Sequence, residues 1–157
     1  MVLDKYEKGV LIASALVMML FIFCLLYTLD KQNSNITECL PYNKTYSHAR
    51  VDTIDKNTYQ VFMVAKMWSF EPATIYIPEG SDVDFFITSQ DVVHGFNISQ
   101  KNVNLMAIYG AVGKSTVHFA EPGVYKIICH EYCGIGHQFM QAEVIVNYPD
   151  SKTTAWK

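Results

Sequence analysis

Twelve residues near the C-terminal end, Cys129-His130-Glu131-Tyr132-Cys133-Gly134-Ile135-Gly136-His137-Gln138-Phe139-Met140, gather two thiols, the imidazole of His137 and a thioether. Thiolate and thioether are soft ligands. With imidazole they favour copper or zinc over magnesium or calcium. Gly134 and Gly136 let the chain turn tightly enough for these groups to converge. A single blue-copper site needs one Cys, two His and a weak axial Met, and this stretch has one Cys more. The second thiolate has a use if two sulfurs bridge two copper ions. Each copper then needs one terminal imidazole and one weaker ligand.

His137 supplies the first imidazole. The best candidate for the second is His94, in Ser89-Gln90-Asp91-Val92-Val93-His94-Gly95-Phe96, 35 residues before Cys129. Met140 is one weak ligand, and a backbone carbonyl between the two Cys, most naturally that of Glu131, is the other. Two alternatives stay open on these residues alone. Cys129 and Cys133 could pair as a disulfide in an oxidising compartment. Cys129, Cys133, His137 and His94 could hold a structural, tetrahedral zinc. Neither gives a use to Met140, three residues after His137.

Such groups need rigid elements on both sides. From Tyr59 onward short β-rich runs alternate with turn signals. The strands are expected at 59–64, 74–77, 82–88, 94–98, 115–119, 123–128 and 141–146. Seven or so short strands at this spacing indicate an all-β sandwich or barrel of the Greek-key kind. The Cys-rich stretch then becomes a loop between the last two strands, and His94 opens an earlier one. In a Greek key an early strand end can sit beside a late loop.

Composition divides the rest of the chain. Apolar residues make up 50% of the 157. Val10 to Leu29 hold 20 residues without a charge, all apolar except Ser14 and Thr28, and without them the apolar share is about 45%, which is ordinary. As a helix the run spans about 30 Å, the thickness of a bilayer's hydrocarbon core. It is too long for a cleaved signal and lacks a small-x-small site, so it reads as a retained transmembrane anchor. Lys5 and Lys8 favour an inside N-terminus, weakly opposed by Lys31 and Lys44. The expected division is an inner tail at 1–9, the anchor at 10–29, a polar linker at 30–57, the β domain at 58–149 and a C-terminal tail at 150–157. The net charge of −3, without a Lys/Arg cluster, excludes a nucleic-acid binder. Cys24 reads as an apolar face residue, and Cys39 has no assigned role. His130 falls between the ligands but off the pattern; His118 and His48 read as structural or surface residues.

Cys-x-Glu-x-Cys-x-x-x-His-x-x-Met, with Asp-Val-x-His-Gly-Phe upstream, resembles the dinuclear CuA site of cytochrome c oxidase subunit 2. The resemblance covers nearly the whole chain. It implies a cupredoxin-like domain behind a membrane anchor, and copper ligands at His94, Cys129, Glu131 (carbonyl), Cys133, His137 and Met140. The single anchor and short length are similar to the B-type oxidase branch. There the Glu of a Tyr6-Glu7-Lys8-Gly9-like segment lies at a proton-uptake entrance, which the resemblance implies for Glu7. An aromatic facing the electron donor is implied at Trp68; its alternative is a packed core ring. The Glu131 side chain leaves a magnesium ion open, since many A-type relatives use that carboxylate and B-type relatives often lack it. The implied partners are a haem-containing subunit 1 and cytochrome c or a similar small donor. The implied setting is the cell membrane, crossed once, with the copper domain outside. The implied activity is electron transfer that feeds reduction of oxygen to water, coupled to proton pumping. The competing readings are a membrane-tethered copper carrier acting alone and the CuA subunit of a related nitric oxide reductase.

Overall fold

The computed structural model describes residues 4–31, 38–40 and 46–147. The chain falls into two compact units, residues 1–34 and 35–157.

The first unit is one helix, α1 (Lys5–Lys31). It begins before Val10 because the sequence caps it. Lys5 N–H donates to the Asp4 carboxylate at 2.5 Å, and Asp4 N–H donates to Glu7 Oε2 at 2.9 Å. Glu7 thus reaches back to the Asp4 N–H as in one half of a capping box, and the Asp4 carboxylate satisfies the N–H that follows it. The 25-residue stretch Lys5–Leu29 contains an 18-residue window of mean hydropathy 2.8 and is long and apolar enough to cross a membrane. Inside the helix, the Ser14 and Thr28 hydroxyls donate back to the carbonyls of Val10 and Leu25. Neither polar side chain therefore needs water.

The second unit is a two-sheet β-sandwich. Its strands are β1 (Glu38–Leu40), β2 (Arg50–Asp55), β3 (Thr58–Lys66), β4 (Ser69–Glu71), β5 (Thr74–Pro78), β6 (Ser81–Ser89), β7 (His94–Ile98), β8 (Val103–Ala107), β9 (Val112–Phe119), β10 (Gly123–Ile128) and β11 (Gln141–Asn147). One sheet runs β1-β9-β6-β3-β2, with β4 also on β3. The other runs β5-β11-β10-β7-β8. Two pairs, β3 with β6 and β5 with β11, are parallel.

All seven expected strands form. The stretch expected as linker carries two more, β1 and β2. Polar residues hide β2: Arg50, Asp52 and Asp55 decorate an edge strand whose burial reads exposed or half-buried throughout. Its order comes from pairing with β3, Arg50 opposite Phe62 and Val51 opposite Val61. The expected C-terminal tail at 150–157 and the Cys39 side chain lie outside the described residues.

Alternate residues fill the space between the sheets, as the two-residue strand period requires. Val61, Met63, Val83 and Phe85 meet Ile75, Phe96, Ile127 and Val144 in one core. A second, smaller cluster lies apart from that core. Phe62 stacks on Phe86 at 4.7 Å, and Tyr46 meets Phe62 edge-on at 5.3 Å. The Tyr46 hydroxyl lies 2.9 Å from the Met63 carbonyl and 2.6 Å from the Phe86 carbonyl, which share its one proton. Strands β3 and β6 are thus buried on both faces. This is why polar-apolar alternation fades at Phe85-Phe86-Ile87.

Candidate metal centre

The geometry of the centre begins with strand register. The last rung of the β10–β11 ladder pairs Ile128 with Gln141. One more bond, Cys129 N–H to Met140 O at 3.2 Å, closes the loop at its neck. The first and last ligand candidates of the loop are therefore neighbours by construction. Strand β7 reaches β10 at Asn97 opposite Ile128. Continuing that register past Cys129 brings Gly95 opposite His130. A Cβ on Gly95 would lie 2.6 Å from the His130 ring and 2.7 Å from its backbone N. Only glycine lets the two backbones approach so closely, and that approach carries His94 to the loop.

Three ligand atoms, from His94, Cys129 and Cys133, lie within 4.8 Å of one another, and all three residues are buried. The two Sγ atoms are 3.7 Å apart and both thiols are free. A disulfide needs about 2.05 Å, so the sulfurs face each other unbonded. Cys133 Sγ is 3.6 Å from His137 Nδ1 and 3.7 Å from Met140 Sδ. Cys129 Sγ lies 3.3 Å from the Glu131 carbonyl oxygen. His137 begins a 3₁₀ turn, His137–Phe139, which returns the chain to Met140. His94, Cys129 and Cys133 thus form one cluster, and His137 Nδ1, Met140 Sδ and the Glu131 carbonyl oxygen each lie within reach of one of its sulfurs.

One buried polar atom tests whether the centre fits a metal. His94 is fully buried, and its Nδ1 has no hydrogen-bond partner among the described residues. An orphaned buried nitrogen costs about 1–3 kcal/mol, unless it has another use. Beside two thiols and a thioether, that use is metal ligation, and the donor set fits copper.

The ring's other nitrogen, Nε2, lies 2.6 Å from Asp91 Oδ1. Asp91 stands in the upstream Asp-Val-x-His-Gly-Phe pattern, but the pattern assigns it no role. Its signal is visible in hindsight: an Asp three residues before the His, in the same turn. Burial by itself would raise the Asp91 carboxyl. The His94 ring and the main-chain N–H groups of Met67 and Val92 outweigh that and hold it below its usual range. Burial, then the neighbouring Cys129, push the Cys133 thiol up to about 11. Without metal, Cys133 is therefore a neutral thiol near neutral pH, and loading must displace its proton.

Trp68 lies over the loop. It is 42% exposed, so it is not a packed core ring. Its indole N–H donates to the Cys133 carbonyl at 3.1 Å. Gly134 and Gly136 are the surface it covers: a Cβ there would come within 2.9 and 2.5 Å of the indole. Tyr132, Ile135 and Phe139 are exposed around it. His130 sits at the surface, its Nδ1 3.5 Å from Glu131 Oε1. His118 is also exposed and pairs with Asp82 at 2.8 Å. Glu7 belongs to the helical unit, where its carboxylate closes the cap.

Comparison with known proteins agrees with this geometry. Residues 46–147 match the family described as cytochrome c oxidase subunit II, periplasmic domain. The chain is 33% identical to a cytochrome c oxidase subunit 2 of Thermus thermophilus, over 90% of this chain and 91% of that one. It is 38% identical to a heme-copper oxidase subunit 2 of Aeropyrum pernix, over 46% of this chain and 32% of that one. A chain from a heme-copper terminal oxidase dimer, solved by cryo-electron microscopy, superposes with a TM-score of 0.74 at 35% identity, covering 91% of this chain and 100% of that one. The periplasmic domain of subunit II from Bradyrhizobium japonicum shares the fold, with a TM-score of 0.53 at 20% identity over 57% of this chain and 84% of that one. One N-terminal apolar helix, a subunit II sandwich and a His/Cys cluster suited to copper make a single assignment: the chain belongs to the cytochrome c oxidase subunit 2 family, membrane-anchored and part of a heme-copper terminal oxidase complex, with His94, Cys129 and Cys133 as candidate CuA ligands.

Proposed function

We propose that this subunit receives electrons from cytochrome c on the outer face of the cell membrane. It passes them to haem in subunit 1, where oxygen reduction is coupled to proton pumping. Cys129, Cys133, His94 and His137 would hold two copper ions as the strong donors, with Met140 and the Glu131 carbonyl as the weak ones. Glu131 would serve copper through its carbonyl, while its carboxylate lies 3.5 Å from His130 Nδ1. The observation that carries this reading is the cluster of both cysteine sulfurs with the buried His94, whose Nδ1 has no hydrogen-bond partner, and Met140 Sδ beside it.

A bound CuA centre supplies one-electron storage spread over two metals. The protein's part is rigidity. The β10–β11 neck fixes Cys129 against Met140, and β7 fixes His94, so bond lengths have little room to change between redox states. Trp68 takes electrons in, because its exposed ring is one hydrogen bond from the Cys133 carbonyl. In the helical unit we assign Glu7, at the inner end of a single-pass anchor with a cytoplasmic N-terminus, to the proton-uptake entrance. Its carboxylate also caps the helix.

A copper count with an electron spin resonance spectrum of the purified full-length chain tests the centre. Two coppers sharing one unpaired electron are expected, and Cys133→Ser abolishes that signal. One blue copper, or one silent zinc, overturns the assignment.

A further inference from the structure

The carboxylate of Asp91 is unusually well held for a residue in a turn. Oδ2 accepts the Met67 N–H at 2.6 Å, and Oδ1 accepts the Val92 N–H at 2.7 Å. The Ser89 hydroxyl lies 3.3 Å from Oδ1 and also accepts the Asp91 N–H at 3.1 Å. The turn itself is tied to the sheets. Gln90 N–H donates to the Ala65 carbonyl, and the Gln90 side-chain amide donates to the Ser47 carbonyl. None of these bonds involves His94. The carboxylate is therefore set in place by the backbone, and the imidazole takes its position from the carboxylate.

Resting on the copper reading above, we infer that Asp91 is a positioning residue for His94. An anionic oxygen 2.6 Å from Nε2 selects the tautomer with its proton on Nε2. That leaves the lone pair on Nδ1, the atom without a partner, available to a metal. A carboxylate acceptor on the far nitrogen also makes the ring a better donor to metal. The same carboxylate holds the Met67 N–H, next to Trp68. One side chain thus fixes both a ligand and the backbone beside the exposed indole.

The test uses the metal-free full-length chain in detergent, titrated with copper ions alone. Asp91→Ala is expected to lower copper affinity about 10–100-fold, the usual cost of losing such a partner. It also changes the histidine nitrogen coupling in the spin resonance spectrum and raises the reduction potential, since a less basic imidazole stabilises the oxidised metals less. Asp91→Asn keeps a neutral acceptor for Nε2–H but sets an amide donor against the Met67 N–H, so its values fall between. Parent-like affinity, coupling and potential in Asp91→Ala overturn the inference. Should Asp91→Ala fail to fold, parent-like values in folded Asp91→Asn overturn it equally. A parent chain that takes up no copper overturns the copper reading itself, and that measurement comes before any variant.

Discussion

The two imidazoles of the candidate centre are held in opposite ways. His94 stands at the start of a strand, with no exposed surface, one nitrogen on Asp91 and the other unpartnered. His137 sits in a 3₁₀ turn and is half-buried. Its Nδ1 is 3.6 Å from Cys133 Sγ, and its ring meets the edge of Tyr132 at 5.9 Å. The inner ligand is fixed by the sandwich, and the outer one by the loop that carries it. In the proposed centre a rigid inner side would leave the donor atoms little room to move between redox states. An outer side under exposed aromatic rings is where a donor can come close.

The largest expected effect separates these two histidines. His94→Ala opens a cavity in a packed site and strips Asp91 Oδ1 of its ring partner; loss of the orphaned Nδ1 offsets part of this, so the metal-free chain loses about 2 kcal/mol. His137→Ala removes a half-exposed ring whose polar contact is one long sulfur distance, and costs at most about 1 kcal/mol. Both weaken copper binding. Denaturant melts of the two metal-free variants check the contrast, and equal losses erase the distinction between strand-held and loop-held ligands.

A second variant sharpens the picture of the outer side. A Cβ at Gly136 would lie 2.5 Å from Cδ2 and 2.6 Å from Cγ of Trp68, ring atoms that cannot bend away. Gly136→Ala must expel the indole or shift the loop, at about 1–3 kcal/mol. In a Trp68→Ala background the clash has no partner, so the same substitution becomes nearly neutral, and a double-mutant cycle of melts reads the difference. Trp68→Ala by itself slows electron input from cytochrome c while the copper spectrum stays intact. An unchanged rate would make Trp68 a cover for the loop and nothing more.

The same contrast governs what could be read from the chain without coordinates. The loop ligands were legible because they are close in sequence and chemically unusual. His94 was legible because strand order can bring an early strand end to a late loop. The role of Asp91 was not, although it stands in the upstream pattern, since nothing in the sequence shows that its two oxygens meet the N–H groups of Met67 and Val92. Strand β2 was missed for a related reason. Arg50, Asp52 and Asp55 lack the alternation of a half-buried strand, because the strand takes its order from backbone pairing at a sheet edge. The helix start at Lys5 was also earlier than hydropathy indicates. Its first turn is held by the Asp4 and Glu7 carboxylates, which a search for apolar runs passes over.

The smallest expected effect lies at the other end of β10. Tyr125 is buried, its hydroxyl donates to the Glu121 carbonyl at 2.9 Å, and its ring meets Phe119 edge-on at 5.0 Å. Burial, then the Glu121 charge, raise its pKa above the ordinary value. The native state therefore holds the phenol proton more tightly than the unfolded chain, whose tyrosines ionise near about 10. The stability this contributes is complete below that value and is lost as pH rises through the native pKa. Tyr125→Phe removes one hydrogen bond, about 1 kcal/mol at neutral pH, and flattens this part of the alkaline decline. Melts of the metal-free parent and variant between neutral pH and the alkaline range should converge as pH rises. A constant gap would mean that Tyr125 stabilises this end by packing and its hydrogen bond alone, with no part in the alkaline loss. Copper uptake should not change in either case, because the ligands hang from the opposite end of the strand.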